Sequence, residues 1–170
     1  MESGVRAMVF AGHYEHSIDP KNRLAIPAKF RTKLDPDRDG VGFYVVPGQP
    51  PTTLWLYTER HFERLVARAD SVLIPDDDQL RFEQAFFPWA ELVEPDSQGR
   101  IIVPEKMRRK AGLEREVVIC GVRDHLEIRP KEQFEKDADG NWEQFREFQL
   151  RARAAYQQIE RQSGQSAGKP

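Results

Sequence analysis

A chain of 170 residues, 39% apolar and 32% charged, suits one or two compact globular units. No apolar run approaches the ~18 residues that a membrane span needs, and the opening MESGVRAMVF has no apolar stretch of the secretion-signal kind. The single cysteine, Cys120, excludes an internal disulfide and points to a reducing, cytoplasmic setting. Within "VVICGV" it is expected to be a buried, inert thiol.

Residues 1–7 read as a loose extension, with either Met1 or Met8 as the start. From Met8 the first patterned unit runs to residue 75. "GHYEHSI" is a predicted strand, and Asp19-Pro20-Lys21-Asn22 follows it with type I turn chemistry: Asp first, Pro second, and an Asn tolerant of positive φ last. "RLAI" resumes the strand, with Leu24 and Ile26 on one face. Pro27 fits the first position of a short helix. In that helix Phe30 and Leu34 point inward, while Lys29 and Lys33 lie together on another side. "PGQPP" (Pro47 to Pro51) marks a loop. Thr58 is placed to cap "ERHFERLVARA", with Phe62, Leu65, Val66 and Ala69 as its apolar stripe.

Residues 76–88 form a connecting helix in which Asp76 caps "DDQLRFEQAFF". A second unit spans 89–137. "AELVE" leads into Asp96-Ser97-Gln98-Gly99, "RIIV" leads out, and Ile101 and Val103 share a face. Pro104 opens a helix with Met107 and Ala111 inward, Lys106 and Lys110 together, and Gly112 at its end. A third amphipathic helix covers 138–162, with Trp142, Phe145, Gln149, Ala152, Tyr156 and Ile159 at helical spacing. So aromatic a stripe suits core or interface. The polar "SGQSAGKP", residues 163–170, is expected to be disordered.

The two units are copies of one element. "DPKNRLAIPAKFRTK" and "DSQGRIIVPEKMRRK" share Asp19/Asp96, Arg23/Arg100, Pro27/Pro104, Lys29/Lys106, Arg31/Arg108 and Lys33/Lys110 in register. Downstream, Leu54 to Leu65 aligns with Leu126 to Asp137 at an offset of 72 rather than 77, so the first copy holds five extra residues. The PGQPP loop is the natural place for them. Charge follows the repeat. Asp19–Lys33 sums to +4 and Asp96–Lys110 to +3, which leaves −9 for the rest of a chain whose net charge is −2. Two matching basic patches on an acidic body suit a polyanion.

At D-x-x-[NG]-R-[apolar]₃-P, present twice, the chain resembles the MraZ family, whose halves are SpoVT/AbrB-like swapped-hairpin DNA-binding units. The resemblance covers Met8 to about Gln162. It implies an α+β fold of two tandem swapped-hairpin, AbrB-like β-barrel units with short helices and a C-terminal amphipathic helix. It also implies a nucleoid-associated transcriptional regulator that binds double-stranded DNA. The expected target is a set of short direct repeats upstream of the regulator's own division and cell-wall gene cluster. A ring-shaped homo-oligomer is implied as well, since a single copy leaves strand edges open. Asn22 stands where the commoner residue is Gly, and Pro20 stiffens that turn; Asn tolerates the same backbone region.

On this reading Arg23 and Arg100, just after their turns, meet guanine edges in a major groove. Lys21, Lys29, Arg31, Lys33, Lys106, Arg108, Arg109 and Lys110 hold phosphates. Asp19, Asn22, Asp96 and Gly99 form the turns. No cofactor, metal, membrane or small-molecule substrate is expected. His13 and His16 point to opposite faces of a strand and cannot easily share an ion, and no HExxH, CxxC pair or Ser-His-Asp spacing marks an enzyme. Two alternatives stand beside this reading. One is an AbrB-like antitoxin that binds DNA and a toxin; the other is a ring-forming scaffold whose basic patches meet acidic neighbours.

Overall fold

The structure, a computed structural model, describes residues 9–69 and 76–166, with side chains to residue 158. In chain order the first repeat supplies β1 (Phe10–Ser17), β2 (Arg23–Ala25), α1 (Ala28–Arg31), α2 (Pro36–Asp39), β3 (Phe43–Pro47), β4 (Leu54–Thr58) and α3 (Glu59–Arg68). A connecting helix α4 (Asp77–Phe86) and a 3-10 turn (Phe87–Trp89) follow. The second repeat supplies β5 (Glu91–Val93), β6 (Arg100–Ile102), α5 (Glu105–Lys110), β7 (Glu116–Arg123) and β8 (His125–Pro130), and α6 runs from Lys131 to Ser166. Two compact units result, Met1–Lys131 and Glu132–Pro170.

The repeats exchange strands. β1 of the first repeat pairs with β7 of the second, and β5 of the second pairs with β3 of the first. The six-stranded antiparallel sheet therefore reads β1-β7-β8-β4-β3-β5, with β2 and β6 paired as a separate two-stranded ribbon. Alternation dictates the core. Leu24 and Ile101 from the ribbon, Phe30 and Met107 from the short helices, and Val45, Leu56, Ile119 and Ile128 from the hairpins are all buried in one cluster. The two sequence repeats thus share a single interior, built from residues between Phe10 and Ile128.

Several expectations are corrected. Pro27 and Pro104 sit one residue before their helices, in extended backbone (ψ 135° and 121°), as N-caps rather than first helical residues. Thr58 precedes α3 but does not cap it with its side chain. Leu54, Leu56 and Thr58 alternate inward along β4, so the Thr58 hydroxyl is buried without a partner. Asp76 does cap α4, accepting the Gln79 amide at 2.8 Å. On α3 only Phe62 is buried, and Val66 is exposed.

The five extra residues are not all in the PGQPP loop. Leu56 faces Val45 while its equivalent Ile128 faces Ile119, so Val45 matches Ile119 at an offset of 74. Three extra residues therefore precede β3, where α2 is built, and two lie in the β3–β4 loop. α6 is longer than its aromatic stripe indicated, starting at Lys131 and continuing through Ser163 to Ser166. The polar stretch from Ser163 is helical that far because nothing stronger than glycine interrupts it, at a cost of ~1 kcal/mol per glycine. Residues 1–8, 70–75 and 167–170, and the side chain of Ile159, lie outside the described residues.

Gly121 marks the closest passage of the exchanged strand. A Cβ there would lie 2.5 Å from the Ala11 amide nitrogen and 2.6 Å from the Phe10 carbonyl carbon. Both are backbone atoms that cannot swing away. Gly121→Ala should cost ~1–3 kcal/mol as an overpacking change. Urea unfolding should show a lowered midpoint, and hydrogen exchange should show faster exchange in β1 before the other strands.

Candidate nucleic-acid interface

Both turns are built the same way. Asn22 N–H donates to Asp19 O at 2.9 Å and Gly99 N–H to Asp96 O at 2.9 Å, while Asp19 and Asp96 N–H donate to the carbonyls of Arg23 and Arg100. This is a type I turn closed by a left-handed residue, a common three-residue hairpin loop. Asn22 (φ 60°) and Gly99 (φ 75°) fill the left-handed position, which only Gly and Asn enter readily.

The aspartates are engaged within their own turns. Asp19 Oδ1 accepts the amides of Lys21 (2.8 Å) and Arg23 (2.9 Å), and its Oδ2 accepts Arg23 Nε at 2.6 Å. Asp96 repeats this with Gln98 N–H, Arg100 N–H and Arg100 Nε (2.9, 2.9 and 2.8 Å), adding Arg100 Nη2 at 2.7 Å. The Arg100 guanidinium above all, with the Arg100 and Gln98 amides, lowers the Asp96 carboxyl to about 2. The Arg23 amide first, then the Arg23 guanidinium and the Lys21 amide, lower Asp19 in the same direction.

The turns are also tied to each other. Ile26 N–H donates to Gly99 O at 2.9 Å and Val103 N–H to Asn22 O at 2.8 Å. Each left-handed residue therefore receives the strand end of the other repeat. Beside these bonds the repeats diverge. Arg108 Nη1 donates to Asn22 Oδ1 at 2.6 Å, and its Nε donates to Leu113 O at 3.0 Å. Arg31, its counterpart, lies in the space a Gly99 Cβ would need, 2.6 Å from that position, with Nε on Ile26 O at 3.0 Å.

In the ribbon Arg23 faces Ile102, Leu24 faces Ile101 and Ala25 faces Arg100. Leu24 and Ile101 are inward and fully buried, so Arg23 and Arg100 share the outward face. They are diagonal neighbours across the pair, a relation that sets Cα atoms about 7–8 Å apart. Their side chains are 34% and 29% exposed. Lys21, Lys29, Lys33, Lys106, Arg109 and Lys110 are exposed, whereas Arg108 is half-buried. Lys33 Nζ donates to Val9 O at 2.8 Å, and Lys29 Nζ lies 5.8 Å from the Tyr14 ring centre. Cys120 is buried and its thiol is pushed up to about 11 by that burial. Among the described residues no group of three or more His, Cys, Asp and Glu could hold a metal ion, and no helix is long and apolar enough to cross a membrane.

Exchange of lead-in strands between two copies of one hairpin unit separates the swapped-hairpin, AbrB-like class from a pair of side-by-side barrels. This fold is of that class, with both copies in one chain. The chain belongs to the MraZ family, whose sequence model, described as "MraZ protein, putative antitoxin-like", matches residues 9–82 and 86–154. Among its relatives is the "Transcriptional regulator MraZ" of Acetivibrio thermocellus, 38% identical over 127 residues, covering 75% of this chain and 85% of the relative. The protein of the same name from Pelotomaculum thermopropionicum is 39% identical over 127 residues, covering 75% and 83%. That from Lactiplantibacillus plantarum is 34% identical over 142 residues, covering 82% and 96%.

Because the folded Asp96 carboxyl lies below the ordinary aspartate value of ~3.9, its clamp stabilises the turn fully above about pH 4. That stabilisation is lost as pH falls toward about 2. A carbon-detected titration should place the Asp96 midpoint near about 2. Asp96→Ala at neutral pH should accelerate exchange of the Gln98 and Arg100 amides; unchanged exchange would remove the clamp assignment.

Proposed function

We propose that the chain is a sequence-specific, DNA-binding transcriptional regulator, acting without catalysis or cofactor. The observation that carries this reading is the ribbon: two aspartate-held arginines on one outward face, diagonal to each other, rimmed by exposed lysines. A two-stranded ribbon fits the ~12 Å major groove, and a guanidinium there pairs bidentately with guanine. With each Nε on a carboxylate, the arginines are aimed before DNA arrives, which lowers the ordering cost of binding.

Lys21, Lys29, Lys33, Lys106, Arg109 and Lys110 hold phosphates in this proposal. Arg31 and Arg108 reach phosphate only with the Nη groups left over from bracing the turns. Asp19, Asn22, Asp96 and Gly99 shape the turns. The target is a set of short direct repeats upstream of the chain's own division and cell-wall gene cluster, and the place of action is the nucleoid. A ring-shaped homo-oligomer brings several ribbons to several repeats, so that effective concentration supplies what one tip lacks. The exposed Trp142, Phe145 and Tyr156 on α6 offer apolar surface for such assembly. Neither a membrane nor a small-molecule substrate has a part in it.

The family description's words "antitoxin-like" keep one second reading in play, a DNA-binding antitoxin. Its mark is a small toxin partner that co-purifies in fixed ratio. The helix α6, which follows the second repeat through Ser166, is more in keeping with assembly than with an extended toxin-clasping arm.

Footprinting of the DNA upstream of the chain's own gene should show evenly spaced protected repeats, and light scattering should show a closed oligomer. Arg23→Ala and Arg100→Ala should each weaken binding to a protected duplex by about 5- to 150-fold, the worth of a good bidentate contact, with the fold and the oligomer size retained. If both variants bind as tightly as the parent, the arginines are not the reading heads. Lys106→Ala and Lys110→Ala should each reduce the slope of log K against log salt by up to about 0.9, with base preference intact.

A further inference from the structure

The outward face of the ribbon carries one residue that neither turn building nor charge explains. Ile102 is 61% exposed, although the strand lies over a fully buried Ile101. Its register places it directly opposite Arg23 and two residues beyond Arg100. An exposed isoleucine thus lies beside both arginine positions, across from Arg23 and two along from Arg100, with Ala25 as its counterpart in the other repeat. A solvated position on a basic face is ordinarily filled by a polar side chain. The surroundings also identify the occupant. Arg23 and Arg100 flank Ile102 on the same face, so a protein partner would need an apolar knob beneath two cations, whereas a major groove offers both at once. Guanine edges present acceptors, and thymine presents a 5-methyl group at the same depth.

We propose that Ile102 is a specificity-determining residue that packs on a thymine methyl group in the base step beside the guanine met by Arg23. This rests on the DNA-binding reading above and deepens it. The ribbon then reads a mixed purine and thymine element, with the arginines taking hydrogen-bond acceptors and Ile102 taking the apolar edge. Ala25, with a single methyl, makes the weaker version of the same contact beside Arg100, so the two halves of the ribbon differ in their demand for thymine.

The probe is the tightest duplex recovered by selection from a random-sequence pool of double-stranded DNA. It is then synthesised with each thymine in turn replaced by deoxyuridine, which lacks only the 5-methyl group. With the parent protein, replacement at one or two positions should weaken binding about fourfold, the worth of one methyl group removed from water. Ile102→Ala should bind the thymine duplex about fourfold more weakly and be indifferent to uridine at those same positions. Ile102→Val should restore most of the sensitivity.

Three results would overturn the proposal. Uridine could weaken the parent and Ile102→Ala equally. Ile102→Ala could change oligomer size and leave the thymine pattern intact, which would make Ile102 a contact between copies. The parent could be insensitive to uridine everywhere. Failure of the underlying reading looks different: no duplex is enriched at all, and Arg23→Ala has no effect on DNA binding.

Discussion

The carboxylates of Asp19 and Asp96 are the interactions on which the rest depends. One side chain satisfies two amides inside its turn and then fixes the guanidinium that follows. A hydrogen bond to a charged acceptor is roughly twice as strong as a neutral one, and here three converge on each carboxylate. The turn so fixed places Asn22 or Gly99 with its carbonyl toward the opposite repeat, where it receives Val103 or Ile26. The clamp therefore reaches beyond its own hairpin. Loss of one turn would leave a strand end of the other repeat unpaired, and an unpaired buried amide costs about 1–3 kcal/mol.

The same arrangement explains why Arg31 and Arg108 do different work from the neighbouring lysines. Both come from helices that follow Pro27 and Pro104, and both reach a left-handed residue across the repeat boundary. Gly99 has no side chain, so Arg31 settles into the space beside it. Asn22 has one, so Arg108 bonds to its amide oxygen instead. A difference of one residue type in the turns is converted into two different braces. Lys29 of α1 is also partly engaged with Tyr14 of β1, and Lys33, just after α1, with Val9, just before β1. The two halves share a plan and present different surfaces.

Much of this was legible in the sequence because the repeat is local and periodic. Asp19-x-x-Asn22-Arg23 and Asp96-x-x-Gly99-Arg100 announce their turns through residues that hold few other conformations, and alternation assigns Leu24 and Ile101 to the interior. The strand exchange was not readable from the residues themselves, since β1 pairing with β7 rather than with β3, the equivalent strand of its own repeat, depends on contacts between distant parts of the chain. α2 was missed because Pro36-Asp37-Arg38-Asp39 resembles loop composition; its helix signals, Asp35 as cap, Pro36 at the first position and Gly40 after the end, enclose a single turn. Thr58 misled for a related reason. Cap chemistry is a property of residue type, whereas strand register had already committed that side chain to the core. Alternation also sets Ile102 on the opposite face from Ile101, but that its own face is open to solvent depends on what the rest of the fold leaves uncovered.

Duplication within one chain has a consequence that a symmetric dimer could not share. Two identical swapped hairpins would carry the same residue at every equivalent position, and such a reader matches a two-fold symmetric site, as paired half-sites do for dimeric regulators. Fusion releases that constraint. Position by position, Asn22 is free to differ from Gly99, Ala25 from Ile102, and the exposed cations of α5 from the partly engaged ones of α1, while the shared clamp and shared core hold the backbone two-fold in place. A ribbon with two unlike halves has a direction along the groove. A direction is what the head-to-tail series of DNA repeats proposed above would require and a palindrome would not. The economy of the fold lies there: symmetry is kept in the hydrogen bonds that hold the ribbon and given up in the side chains that face outward.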